Sequence, residues 1–321
     1  VAKRTAVKRK DRTSAGDGGL NPRRPCECGS GKRFKACHGS EGGAADVIIT
    51  RPFEGLAAEP ELIALREFVP SAFAKLPLID GTAEVDVTLA SVLPMAAAGM
   101  RRNDDKALVG LQVQTRSGDL SRDVARSVLW AAQAKPGDVL PVVGPDDDPA
   151  GPRLQDILVA DAPLDVQLHA DFGWWIPEGT EASAEVSVSL ERANEAIMPT
   201  ERLNGPGIQA AYWVDAGEKA HLRWVRPEPE EKLLAAMARL AAAEKLALGE
   251  GSRYAGSFRA HGLLVPVWDL DRELHAREWE KPAAELGERL TEALASVDDT
   301  PLNESERRAR AGLIGRQITL R

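Results

Sequence analysis

Cysteine is scarce and confined. The 321-residue chain has three, all between residues 26 and 37. An odd, clustered set does not build a disulfide framework; it suits metal ligation or redox work. Aromatic residues make up only 5% of the chain, with two Tyr and six Phe. The seven Trp all fall between residues 130 and 279. No apolar run is long enough to cross a bilayer. The longest, Leu89 to Met100, is short and interrupted by Pro94. No apolar stretch follows the basic N-terminus, so no secretory signal is visible and a cytoplasmic location is expected. Three catalytic signatures are also missing. The CGSGK of residues 28–32 lacks phosphate-loop spacing, with Arg33 where Ser or Thr would stand, and neither His-Glu-x-x-His nor Gly-x-Ser-x-Gly occurs.

Charge is present but unevenly spread. Residues 1–40 hold 11 Lys or Arg and 3 Asp or Glu, whereas the remainder holds 30 and 46. A basic head is therefore joined to an acidic body. Such a head suits RNA, the ribosome or anionic lipid, and a solvated tail without a partner is the alternative. The acidic body argues against nucleic-acid binding over the whole surface.

The sharpest local pattern is RPCECGSGKRFKACHGS. Cys26 and Cys28, then eight residues, then Cys37 and His38 supply three thiolates and an imidazole, a standard closed tetrahedral set for Zn2+. Gly29-Ser30-Gly31 offers the tight turn such a site needs. Lys32, Arg33 and Lys35 offset the net negative charge of the site, and Phe34 is the one large apolar residue in the loop. With four protein ligands no coordination position stays open, so the expected zinc is structural and the catalytic set is empty. A thiol redox switch is the alternative for these cysteines.

These residues resemble the SEC-C motif, the zinc-binding element of the C-terminal tail of the SecA preprotein translocase ATPase. The resemblance runs through Cys26, Cys28, Gly29, Ser30, Gly31, Lys32, Phe34, Lys35, Cys37, His38 and Gly39, and departs at Glu27 and Arg33. It covers about 20 residues. It implies zinc binding and docking, through Lys32, Arg33, Phe34 and Lys35, to a secretion chaperone, the translocase, the ribosome or anionic phospholipid. The whole chain resembles actinobacterial proteins that join this motif to a domain of unknown function.

The rest reads as an α+β body. Residues 1–20 lack apolar periodicity and read as a disordered basic tail. Residues 21–40 are the zinc module, 41–46 a link, and 47–321 the body, with lobes at 47–204 and 205–321. Helices are expected over Glu59 to Leu76 (bent or broken before Pro70), Asp119 to Ala134, Ala184 to Ile197, Glu230 to Leu248 and Pro282 to Val297, with another starting at Asn303 and Glu306. Strands are expected over Val85 to Leu93, Ala107 to Thr115, Leu164 to Phe172, Ile208 to Val214, Ala220 to Arg226, Leu263 to Leu270 and Gly315 to Arg321. Both halves then read strand, strand, helix, strand, helix. That order suggests a duplicated unit, with ALVGLQVQT matching AHLRWVR and VQLHADFGWW matching LLVPVWDLD; coincidence of order is the alternative.

Two further clusters could carry chemistry. Asp269, Asp271, Glu273 and His275 alternate after a strand, as a metal or acid–base cluster or as a solvated loop. His169 and Asp171 sit beside Trp174 and Trp175, as a pocket or as a packed rim. Trp213, Trp224 and Trp268 fall on strands, where core packing is the default. The functional expectation is a non-catalytic adaptor docking through its zinc head. The alternatives are an enzyme in the body localised by that head, and nucleic-acid binding by the basic arm.

Overall fold

The computed structural model describes residues 49–114, 117–143 and 151–318. The chain divides into Val1–Val47, outside the described residues, and Ile48–Arg321, a compact α+β unit. Pro60 lies in the first turn of α1 (Glu59–Glu67), where a missing N–H costs nothing. This helix does not run on to Leu76. Pro70 disfavours helical backbone in the residue before it, and the chain re-emerges as strand β1 (Ala72–Lys75). Then follow β2 (Val87–Ala90), β3 (Gly99–Arg101), β4 (Ala107–Gly110), α2 (Leu120–Gln133), β5 (Val139–Leu140), α3 (Leu154–Ile157) and β6 (Gln167–Leu168). The first sheet has the order β5-β3-β4-β2-β1-β6, antiparallel except between β2 and β4.

The chain continues through α4 (Ala184–Glu195), β7 (Thr200–Arg202), β8 (Ala211–Asp215), β9 (Ala220–Trp224), α5 (Glu230–Ala242), β10 (Ser252–Ala260), β11 (Leu263–Leu270), α6 (Glu280–Ala295), α7 (Glu304–Ile314) and β12 (Gln317–Ile318). The second sheet has the order β12-β10-β11-β9-β8-β7, antiparallel except between β10 and β12. Helix α5 stops at Ala242, short of Leu248, because Glu244 takes a left-handed φ of 57° and Lys245 N–H turns back to Leu240 O. Helix α7 begins where Asn303 and Glu306 form a reciprocal capping box.

The two sheets share a strand order in chain terms: 1-2-4-3-5 in the first and 8-9-11-10-12 in the second. Directions differ, since β2 runs parallel to β4 whereas β9 runs antiparallel to β11. In this order β9 corresponds to β2 and β11 to β4, not to the segments matched by sequence. Strand β7 lies before residue 205 yet forms an edge of the second sheet.

Helix α1 is apolar-packed all round, with every residue from Glu59 to Leu65 buried. One core joins Leu62, Ile63 and Leu65 to Leu89 and Val109 of the first sheet, Val128 of α2, Tyr212 and Val265 of the second sheet, and Val225 just after β9. The opposite face of the second sheet packs Trp224 and Trp268 against Leu233 and Met237 of α5 and Leu286 and Leu290 of α6. The alternation of β9, with Ala220, Leu222 and Trp224 buried and His221 and Arg223 half-buried, sends residues to two different layers.

Candidate functional site

The clusters suggested by the sequence do not assemble into a reactive centre. His169 stacks on Phe73 with ring centroids 4.6 Å apart, and its Nε2 is buried without a hydrogen bond. Asp171 is turned to its own loop: Oδ1 accepts from Gly173 N–H at 2.8 Å. Its backbone carbonyl accepts from Ser71 Oγ, which in turn accepts from Trp174 Nε1 at 2.9 Å. This is a packed rim on the first sheet. Asp269, Asp271, Glu273 and His275 also separate. Asp269 is held by Lys219 and Arg253, each at 2.8 Å, whereas Asp271 accepts from Glu273 N–H at 2.9 Å. His275 caps the next turn and meets Glu201 at 3.1 Å. Among the described residues no group of three or more His, Cys, Asp or Glu could hold a metal ion. Trp224 and Trp268 are fully buried, as core packing requires, and Trp213 is half-buried.

The strongest constellation lies instead where α1 meets the second sheet. Register places Arg202, Tyr212 and Arg223 side by side on β7, β8 and β9. Glu61, in the first turn of α1, faces this row and is 1% exposed. Its Oε2 accepts from the Tyr212 hydroxyl at 2.5 Å. Its Oε1 accepts from Arg202 Nη2 at 2.6 Å and from the Ala210 backbone N–H at 3.1 Å. A buried carboxylate is tolerated because charge-assisted donors replace its water. Burial, and then the Glu61 charge, push the Tyr212 hydroxyl well above its usual range, so it stays a donor. Two residues earlier Glu59 is clasped by Arg51 through Nε and Nη2, both at 2.7 Å.

Beside this network is a cavity of about 550 Å3. Leu56, Pro60, Pro163, Leu164, Ile208 and Pro227 give it apolar walls, and Asp161 and Gln209 join the two glutamates and Arg202 as its polar lining. Gln209 Nε2 donates to Ala57 O at 2.8 Å, which fixes the amide orientation. Asp161 is exposed and, among the described residues, has no ion pair.

No curated protein and no solved structure matches the chain. Residues 52–321 match a family of unknown function, DUF5926. The chain belongs to the DUF5926 family. This corrects the reading of the protein as a SEC-C member. The family shown is carried by the body, no SEC-C family matches, and the DUF5926 match begins after the cysteines. The association with the translocase rested on that resemblance and falls with it; no zinc-binding group occurs among the described residues, which do not include the motif. Cys26, Cys28, Cys37 and His38, with Lys32, Arg33, Phe34 and Lys35, lie outside the described residues. No helix among the described residues of this DUF5926 chain is long and apolar enough to cross a membrane.

Sequence reasoning missed the Glu61 network because its members are 141 and 151 positions apart. The available signal was a glutamate inside an otherwise apolar stretch, PELIAL, which only a partnered charge can occupy.

Proposed function

We propose that this chain is a non-catalytic interaction protein that receives a segment of a protein partner in the cavity beside Glu61. The engagement of the cavity's two glutamates by neighbouring side chains supports this most. Glu61 already accepts three hydrogen bonds and Glu59 two. A general acid or base must exchange a proton with substrate, whereas these two carboxylates are already engaged by Arg51, Arg202 and Tyr212. What is left is shape, apolar wall and the exposed Asp161 carboxylate, the ingredients of recognition.

The basic head is a second contact for a partner with negative charge. Attraction of this kind weakens steeply with salt. For Cys26, Cys28, Cys37 and His38, ligand type and spacing support a structural zinc ion. About one zinc per chain in metal analysis, lost on Cys26→Ser with Cys28→Ser, supports that assignment; a metal-free chain overturns it.

The test is partner capture by three forms: the full chain, the chain without residues 1–40, and an Ile208→Trp variant that fills the cavity. Equal urea midpoints establish that all three are folded. Capture lost in the Ile208→Trp form is the expected result. No specific capture by the full chain, or equal capture by the filled form, overturns the proposal.

A further inference from the structure

Where α1 ends at Phe68, the second sheet carries a cluster of cations. Lys219, His221 and Arg223 alternate with Ala220 and Leu222 along the sequence. The alternation of β9 puts His221 and Arg223 on the α1 side, about 7 Å apart, and turns Ala220 and Leu222 toward α5 and α6. Asp269 faces His221 across the β9–β11 register and is the carboxylate of the group. Its Oδ2 is held by Lys219 and Arg253, each at 2.8 Å, and its Oδ1 stands 3.3 Å from His221 Nδ1. The other register neighbours of His221 and Arg223 are Tyr212, Val214 and Val267, none of them an acid.

Arg223 is the member left over. It is half-buried, with its guanidinium 5.6 Å from the centre of the Phe68 ring. Among the described residues nothing accepts a hydrogen bond from it, and none of its nitrogens is sealed from solvent. Burial holds its pKa below the usual arginine value, and no acidic neighbour opposes that shift. A cation this far withdrawn from water ordinarily has a carboxylate partner. His221 is open in the same way: Nδ1 is sealed on the Asp269 side, whereas Nε2 reaches solvent and makes no hydrogen bond. With Asp269 beside Nδ1, an anion at Nε2 favours the imidazolium, which donates from both nitrogens.

The charge of the group selects the ligand. Lys219, Arg223 and Arg253 against Asp269 leave two positive charges before His221 is counted. This surplus stands out from a body in which residues 41–321 hold 46 acidic and 30 basic residues. A phosphate monoester carries about −1.5 to −2 at neutral pH and three acceptor oxygens. A guanidinium fork engages two of those oxygens and leaves the third for an imidazolium. A carboxylate brings one charge and two oxygens, and so matches the group less well.

We propose that Arg223 and His221 receive the phosphate monoester group of a small ligand, with Lys219 and Arg253, held on Asp269, supplying the surrounding positive charge. None of these residues lines the cavity beside Glu61, so the site stands apart from the partner segment proposed there.

Isothermal titration of the full chain with methyl phosphate at fixed ionic strength, with acetate in a parallel arm, is the test. Methyl phosphate should bind saturably, and acetate several-fold more weakly. Arg223→Met keeps an unbranched stem beside Phe68 and removes the fork. It should weaken methyl phosphate about ten- to a hundredfold, the range of hydrogen bonds to charged groups, without lowering the urea midpoint, because the charge removed has no partner. Arg223→Lys keeps the charge and loses the fork; it should weaken binding several-fold, and it carries the test if Arg223→Met folds poorly. No saturable binding by the full chain, wild-type affinity in Arg223→Lys, or equal affinity for acetate overturns the assignment.

Discussion

The hydroxyl of Tyr212 donates to Glu61 Oε2 at 2.5 Å, joining the first turn of α1 to β8 of the second sheet across 151 positions of sequence. Both residues are buried, at 0% and 1% exposure, so neither can fall back on water. Tyr212→Phe keeps the ring, and with it the edge-on contact to Phe68 at 5.8 Å, while removing a donor from a buried charge. The expected cost is about 1–3 kcal/mol, the penalty for an under-satisfied buried polar group. Urea denaturation at neutral pH measures it. A change within error would mean that Arg202 and Ala210 N–H suffice for Glu61.

A second link between α1 and the second sheet is set by pH. His261 Nε2 meets Glu67 Oε1 at 2.8 Å, and this hydrogen bond holds the Glu67 carboxyl below its ordinary value of 4.5. Burial opposes the shift, and Arg66 at 4.0 Å reinforces it. A carboxyl depressed in the folded state adds stability above its unfolded value and loses it as pH falls. His261→Asn should therefore destabilise the protein above pH 4.5, with the difference from wild type shrinking as pH falls below that value. Asn tolerates the left-handed φ of 46° at this position. Urea midpoints from pH 3 to 7 give the comparison; a gap that stays constant with pH would contradict it.

Why some of this was legible and some was not follows from particular residues. The Asn303–Glu306 capping box and the aligned Leu286, Leu290 and Ala293 of α6 are local signals, and the helices form there. Strand β10 carries no such signal. SRYAGSFRA contains Gly256 because the backbone oxygen of Arg316 would lie 2.5 Å from a Cβ there. That need for a small residue, imposed by β12, erases strand propensity. Strand β1 is hidden for the opposite reason: Ala72, Phe73 and Leu76 extend the apolar spacing of the preceding helix, and only Pro70 marks the change. The candidate cavity draws its lining from α1, residues 161–164, β7 and residues 208–227, so no window of sequence contains it. The cysteine pattern was the most conspicuous local motif, yet the family is shown by the body, whose determinants are long-range.

The tip of the β10–β11 hairpin gives a stability test of another kind. His261 and Gly262 both have positive φ, 46° and 86°, as a two-residue hairpin turn requires. A Cβ on Gly262 would stand 2.8 Å from Arg51 Cβ. Arg51 cannot simply swing away, since it clasps Glu59. Gly262→Ala should cost about 1–2 kcal/mol from the left-handed backbone, with the clash adding to it. A shift of about 2–4 °C in Tm per kcal/mol is expected for a domain of this size, so calorimetry should show a clear decrease. An unchanged Tm would mean that the turn rebuilds freely.

Asp123 gives the converse case, a buried charge whose removal should help. It lies on α2 at 4% exposure, and among the described residues neither carboxylate oxygen has a donor within full hydrogen-bonding geometry, Ser117 being the nearest influence. Burial raises its proton affinity above the ordinary value of 3.8, although Ser117 and Arg126 oppose the shift. A carboxyl raised in the folded state makes folding less favourable as pH climbs from 3.8 through the folded value, and the penalty persists above it. Asp123→Asn keeps the shape and removes the charge. It should raise the urea midpoint at pH 7 and change it little at pH 3, where the aspartate is already protonated in both states. A lower midpoint at pH 7 would show that the ionised carboxylate is a favourable partner for Arg126 despite its burial.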